Sequence, residues 1–130
     1  MIPPFVTDAI HEVFGQHTYP TKSRVLAGGT INQAFAVNRS SGEVLFIKTH
    51  KPGASCPGMF DAEAAALKRI AASKTIAVPE TLYADSNCLM QTRFIEGEKN
   101  GNWFEAIGRS LAEMHQAIQA KQFGYSLNNY

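Results

Sequence analysis

The sequence has few of the residues that mark several large functional classes. It holds two cysteines, Cys56 and Cys88, 32 residues apart, with no CxxC pair and no histidine at matching spacing. That pattern supports neither a disulfide framework nor a zinc site, and both residues read as reduced thiols, with Cys56 a plain loop thiol beside Pro57. No run of aliphatic and aromatic residues approaches the ~20 of a membrane span; the strongest is Val44 to Ile47. The start, MIPPFVTDAIHE, lacks the charged opening and apolar stretch of a signal peptide. A surplus of one charge sign is lacking too. Twelve Lys and Arg against 11 Asp and Glu give a net charge of +1, without the basic excess that binding a phosphate backbone usually needs. The expectation is a cytoplasmic chain with no nucleic-acid or membrane partner.

What is there is enough for one ordinary core: 130 residues, 45% hydrophobic and 18% charged. After Pro3 and Pro4, the residues Phe5, Ala9, Val13 and Phe14 recur at helical spacing, and Gly15 is a plausible C-cap. RVLAGGTINQAFAVN reads as two extended pieces joined at Gly28 and Gly29, where a backbone without Cβ can turn or approach a ligand closely. A polar turn, Arg39 to Gly42, leads into EVLFIK, a β-branched and aromatic strand. KPGASCPG is a loop, and Met59 to Ser73 reads as a helix with Phe60, Ala64, Leu67, Ile70 and Ala71 on one face. Val78-Pro79 ends anything helical; TLYAD and CLMQTRFI then form a second hairpin. A polar connector, Glu96 to Gly101, precedes a helix whose stripe runs Phe104, Ile107, Leu111, Met114, Ile118, with Asn102 and Glu105 placed as a cap. No internal repeat appears. Strands outnumber crossover helices, so the fold class is α+β, with a five-stranded antiparallel sheet in place of a doubly wound parallel one.

Two charges fall among apolar neighbours. Alternation along Val44 to Lys48 puts Lys48 at the end of the row Val44 and Phe46, read as buried. Glu63, between Phe60 and Leu67, sits within the core-facing stripe of the next helix. Either side chain alone is readily explained by snorkelling to the rim of the sheet. Together they favour a Lys48–Glu63 ion pair, because an ion buried without a partner costs several kcal/mol. A glycine turn upstream of a lysine on a strand is also how kinase-type lobes hold nucleotide phosphates. Of the histidines, His115 beside Met114 reads as a packed residue, and His11, His17 and His50 as surface residues.

The series AGGTINQAFAVN, a strand ending FIK, PGMFDAEAAALKRIA, TIAVPETL and LAEMHQA resembles the N-terminal lobe of fructosamine-3-kinases and related ketosamine kinases. The resemblance covers nearly the whole chain, and MFDAEAAAL followed by the VP-containing loop is its most distinctive stretch. It implies a protein-kinase-like N-lobe with a helix C equivalent, a short preceding helix, and a following helix that leads to a C-lobe absent from this chain. Residues 1–98 would form the ATP-binding lobe, and 99–130 the linker and first helix toward the catalytic lobe. Lys48 would contact the α and β phosphates and Glu63 would orient it. Gly28, Gly29, Thr30, Ile31 and Asn32 would form the loop over the phosphates. Thr92 would lie behind the adenine, and the backbone of Arg93, Phe94 and Ile95 along its edge.

The family's HGD-type catalytic loop and its magnesium-binding aspartate belong to the C-lobe, and no HGD occurs in this sequence. The expectation is therefore the nucleotide-holding part of an ATP- and Mg-dependent kinase acting on a sugar hydroxyl of a ketoamine. No catalytic or metal-ligating residue is expected in this chain, which would be inactive alone. Two alternatives stay open. One is an aminoglycoside- or choline-kinase-like lobe; the other is a non-catalytic nucleotide-binding or dimerisation module that self-associates through the exposed lobe interface, where Trp103 and Phe104 would form a sticky patch.

Overall fold

The computed structural model describes residues 1–26, 29–92, 97–98, 100–120 and 124. Its elements follow the expected order: α1 (Pro4–Phe14), β1 (Pro20–Leu26), β2 (Asn32–Arg39), β3 (Val44–His50), α2 (Met59–Ser73), β4 (Thr81–Ala84), β5 (Cys88–Gln91) and α3 (Trp103–Ala117). The strands form one sheet in the order β1-β2-β3-β5-β4, with every pairing antiparallel.

Helix α1 starts on Pro4, whose fixed φ suits a first turn and whose missing N–H is one that a helix start leaves unbonded anyway. It ends at Gly15, which adopts φ 87° and donates its N–H to the His11 carbonyl. Val6, Ala9 and Ile10 are buried against Phe35, Val37, Leu45, Ile47, Cys88 and Met90 of the sheet, with Phe5, Val13 and Phe14 at the margin. Each large apolar side chain buried in this way contributes about 1.5–3 kcal/mol. The Arg39 guanidinium lies 4.0 Å over the Phe14 ring and pairs with Glu43, which ties the end of α1 to the β2–β3 turn.

Because strand side chains alternate, the other face carries Ala34, Ala36, Phe46, Lys48, His50, Leu89 and Gln91. The alanine-rich α2, a strong helix former, crosses the Lys48 and His50 end of this face. The expected burial is thereby shifted by one residue. Leu45, Ile47 and Thr49 form the fully buried row under α1, while Val44, Phe46 and Lys48 are half-buried because α2 covers only part of their face. On α2 itself Phe60 alone is buried; Ala64, Leu67 and Ile70 are half-buried and Ala71 is exposed.

Helix α3 buries none of its residues. Phe104, Ile107 and Leu111 of its apolar stripe are 75%, 40% and 44% exposed, and Met114 and Ile118 meet Ala66 and Ile70 of α2 around a 320 Å³ cavity. Three readings of the sequence are corrected here. His115 is exposed: it lines the cavity against α2 beside Met114, but α3 buries none of its residues, so the histidine is not packed. Asn102 stands at the N-cap position of α3 but makes no side-chain capping bond. His50 is half-buried and partnered, since β3 runs on past Lys48 to end beneath α2.

Candidate functional site

Lys48 lies near the end of β3, between Ala34 of β2 and Leu89 of β5. Glu63 reaches it from α2. The Lys48 ammonium donates to Oε1 at 2.6 Å and Oε2 at 2.8 Å, and the side chains are 23% and 31% exposed. The expected pair is thus present, sheltered yet within reach of water, which limits its desolvation cost. An ammonium carries three protons, and these two bonds leave one for a further acceptor.

The β1–β2 turn lies next to this pair in the sheet. Gly29 adopts φ 83°, and a Cβ there would stand 3.0 Å from the Asn32 carbonyl oxygen. Both observations require glycine. Thr30 and Ile31 are exposed, and Asn32 opens β2 opposite His50. Gly28 lies outside the described residues, as do Arg93, Phe94 and Ile95. Thr92 follows β5 directly; its hydroxyl accepts the Glu80 N–H at 3.2 Å and its own N–H donates to the Glu80 carbonyl at 2.9 Å. That hydroxyl is held against the start of β4.

Reasoning on the sequence missed the residues that hold the turn. The Lys51 ammonium donates to the Gly29 carbonyl at 2.8 Å, and its backbone N–H donates to the Ile31 carbonyl at 3.0 Å. His50 Nδ1 meets Asn32 Oδ1 at 3.0 Å, and Asn32 Nδ2 donates to Met59 Sδ at 3.3 Å. The one available signal was strand parity: His50, two residues after Lys48, shares its face.

The large electrostatic shifts lie elsewhere, in the β4–β5 turn. Burial pushes the Cys88 thiol up from 9.0 to about 12, and the Asp85 charge adds to the effect. Tyr83 rises from 10.0 to about 12 by burial and then by the same carboxylate. Burial acts to raise Asp85 itself, but N–H bonds from Cys88 and Asn87 and the Tyr83 hydroxyl outweigh it and hold the carboxylate below its ordinary value. These groups shape a hairpin. Among the described residues no three His, Cys, Asp or Glu side chains gather to hold a metal ion, and no helix is long and apolar enough to cross a membrane.

Five antiparallel strands, a glycine turn between the first two, and a helix-borne glutamate on a sheet lysine define the class: a kinase-like N-terminal lobe. A family profile described as fructosamine kinase matches residues 4–130, and the chain belongs to that family. It is 36% identical over 123 residues to a chloroplastic protein-ribulosamine 3-kinase of Arabidopsis thaliana, a match covering 88% of this chain and 36% of the relative. It is 30% identical over 128 residues to a protein of Synechocystis sp. provisionally named a ketoamine kinase, covering 95% of this chain and 42% of the relative. A crystal structure provisionally assigned as a fructosamine-3-kinase of Thermobifida fusca superposes with a TM-score of 0.77 at 25% identity. That match covers 96% of this chain and 43% of the other. A second such structure, from Haemophilus somnus, has a TM-score of 0.78 at 20% identity over the same shares, and bears on the fold alone. The chain spans about two fifths of the length of the relatives it matches.

Proposed function

We propose that this chain supplies the nucleotide-holding lobe of an ATP-dependent kinase whose acceptor is a sugar hydroxyl of a ketoamine, so that the complete enzyme acts in deglycation. The observation that carries the proposal is the Lys48–Glu63 pair beside a turn that requires glycine. These residues fit a polyphosphate: one Lys48 proton remains for a phosphate oxygen, and glycine at position 29 lets backbone N–H groups of the turn approach it. When bound, ATP supplies the phosphoryl group. Glu63 would keep Lys48 aimed, Lys48 would neutralise α- and β-phosphate charge, and Gly28 to Asn32 would form the loop over the phosphates. Thr92 to Ile95 is the proposed adenine-side segment, with the base read by backbone atoms.

The names of the relatives support a ketoamine or ribulosamine acceptor. The sequence carries no HGD, so the role proposed for this chain is nucleotide holding, with turnover left to the complete enzyme. We keep 1–98 as the lobe and 99–130 as the connecting segment, because α3 touches the rest chiefly through α2. A cytoplasmic location also stays a proposal, the plant relatives being named chloroplastic. Calorimetric titration of the chain with Mg-ATP tests the reading, with Lys48→Met expected to abolish binding.

One observation favours a second reading, self-association: the exposed Phe104, Ile107 and Leu111 on one helix. Concentration-dependent size on a sizing column separates it from a monomeric lobe.

A further inference from the structure

At the end of β3, just past the lysine, two consecutive side chains reach back to the glycine turn. The Lys51 N–H bond to the Ile31 carbonyl makes Asn32 and His50 a non-hydrogen-bonded cross-strand pair, the kind whose side chains approach most closely. Asn32 Nδ2 faces Met59 Sδ, which leaves the Asn32 oxygen toward His50, and we assign the proton of that contact to His50 Nδ1. The His50 ring stacks on Phe60, with centroids 4.5 Å apart and planes at 23°, and Phe60 is 1% exposed. Nε2 is buried and finds no hydrogen-bond partner among the described residues. His50 is thus clamped between the first residue of β2 and the first turn of α2, the helix that carries Glu63 one turn further on.

Lys51 acts on the same turn through the turn's backbone carbonyls. It holds the Gly29 and Ile31 carbonyls. In a trans peptide the carbonyl and the following N–H point in opposite directions, so fixing the Gly29 carbonyl on Lys51 directs the Thr30 N–H away from it. A turn whose carbonyls are tied down on one side offers its donors on the other, which is the arrangement an anion needs.

We propose that His50 and Lys51 are positioning residues. Lys51 sets the peptide orientation of the glycine turn, and His50, through Asn32, fastens that turn to α2, so the turn and the Lys48–Glu63 pair move as one unit. The consequence for nucleotide rests on the function proposed above; the mechanical claim does not.

The test uses the isotopically labelled full chain, with amide exchange at residues 29–32 read beside ATP affinity. His50→Phe keeps the stack on Phe60 and removes the Nδ1 donor, Lys51→Met keeps the stem and removes the ammonium, and Lys51→Arg restores a donor. The expected result is exchange at the turn about tenfold faster in His50→Phe and Lys51→Met, with α1 amides unchanged, since local opening is governed by local contacts. ATP binding weakens by about tenfold in both and recovers in Lys51→Arg. Unchanged turn exchange in both variants would overturn the proposal, whatever ATP does. If the wild type binds no ATP while the variants still loosen the turn, the nucleotide reading fails and the clasp stands. Ring nitrogen shifts of His50 in the unsubstituted chain add a check that needs no variant: an Nδ1–H tautomer supports the clasp, and an Nε2–H tautomer contradicts it.

Discussion

Glu63 holds Lys48 with both carboxylate oxygens, at 2.6 and 2.8 Å, joining a helix to a strand on the side of the sheet opposite the main apolar core. Neither side chain is fully buried, at 23% and 31% exposure, so water screens the pair and its worth in stability is modest. In urea unfolding, Lys48→Met and Glu63→Gln should each cost about 1 kcal/mol. The double variant should cost less than their sum by about 0.5–1 kcal/mol, the coupling of the pair. Full additivity would mean the contact contributes nothing to the fold.

Gly29 should not tolerate a side chain. Its φ of 83° and the Asn32 carbonyl 3.0 Å from an added Cβ each oppose substitution. Gly29→Ala is expected to lower stability by about 1–2 kcal/mol and to weaken ATP binding by more than Gly42→Ala, where the space around an added Cβ is open. Thermal melts beside nucleotide titration check both effects.

Stability should fall at both ends of the pH range through one hairpin. The folded Cys88 thiol ionises near 12 instead of 9.0, so the folded state disfavours thiolate: its contribution is whole below pH 9 and is lost as pH rises toward 12. The slope from this group is about 1.4 kcal/mol per pH unit above pH 9, and Cys88→Ala should flatten it. Asp85 is held below its ordinary value of 3.8, so its contribution is present above that pH and is lost as pH falls through the folded value. Asp85→Asn should flatten the acid limb. Urea midpoints across pH report both.

The exposed stripe of α3 should govern association. Phe104→Ser with Leu111→Ser removes apolar surface from positions 75% and 44% exposed. Because no core packing is lost, the melting temperature should shift by only a few degrees, about what 0.5 kcal/mol produces. The wild type should elute larger as concentration rises on a sizing column, and the double variant should not.

Element order, sheet direction and the lysine–glutamate pair were legible because they follow from local signals: period-two alternation in β3, helical spacing around Glu63, and glycine between strand-forming runs. The parity of burial in β3 was misread, since a strand pattern does not say which face a distant α1 will seal. His50 reads as a surface residue in the sequence because its partners, Asn32 and Phe60, are separated from it along the chain and meet it only once β2, β3 and α2 converge. His115 failed the other way. The stripe of α3 is periodic, but the helix buries none of its residues, so His115 stays exposed even where it lines the cavity against α2.

The most direct measurement is calorimetric titration of the folded chain with Mg-ATP, run beside Lys48→Met and with circular dichroism to confirm that both are folded. One-to-one binding by the wild type, lost in Lys48→Met, is the expected result for a nucleotide lobe organised around the Lys48–Glu63 pair. A folded wild type that binds no ATP, or a Lys48→Met variant that binds as tightly as the wild type, would contradict it.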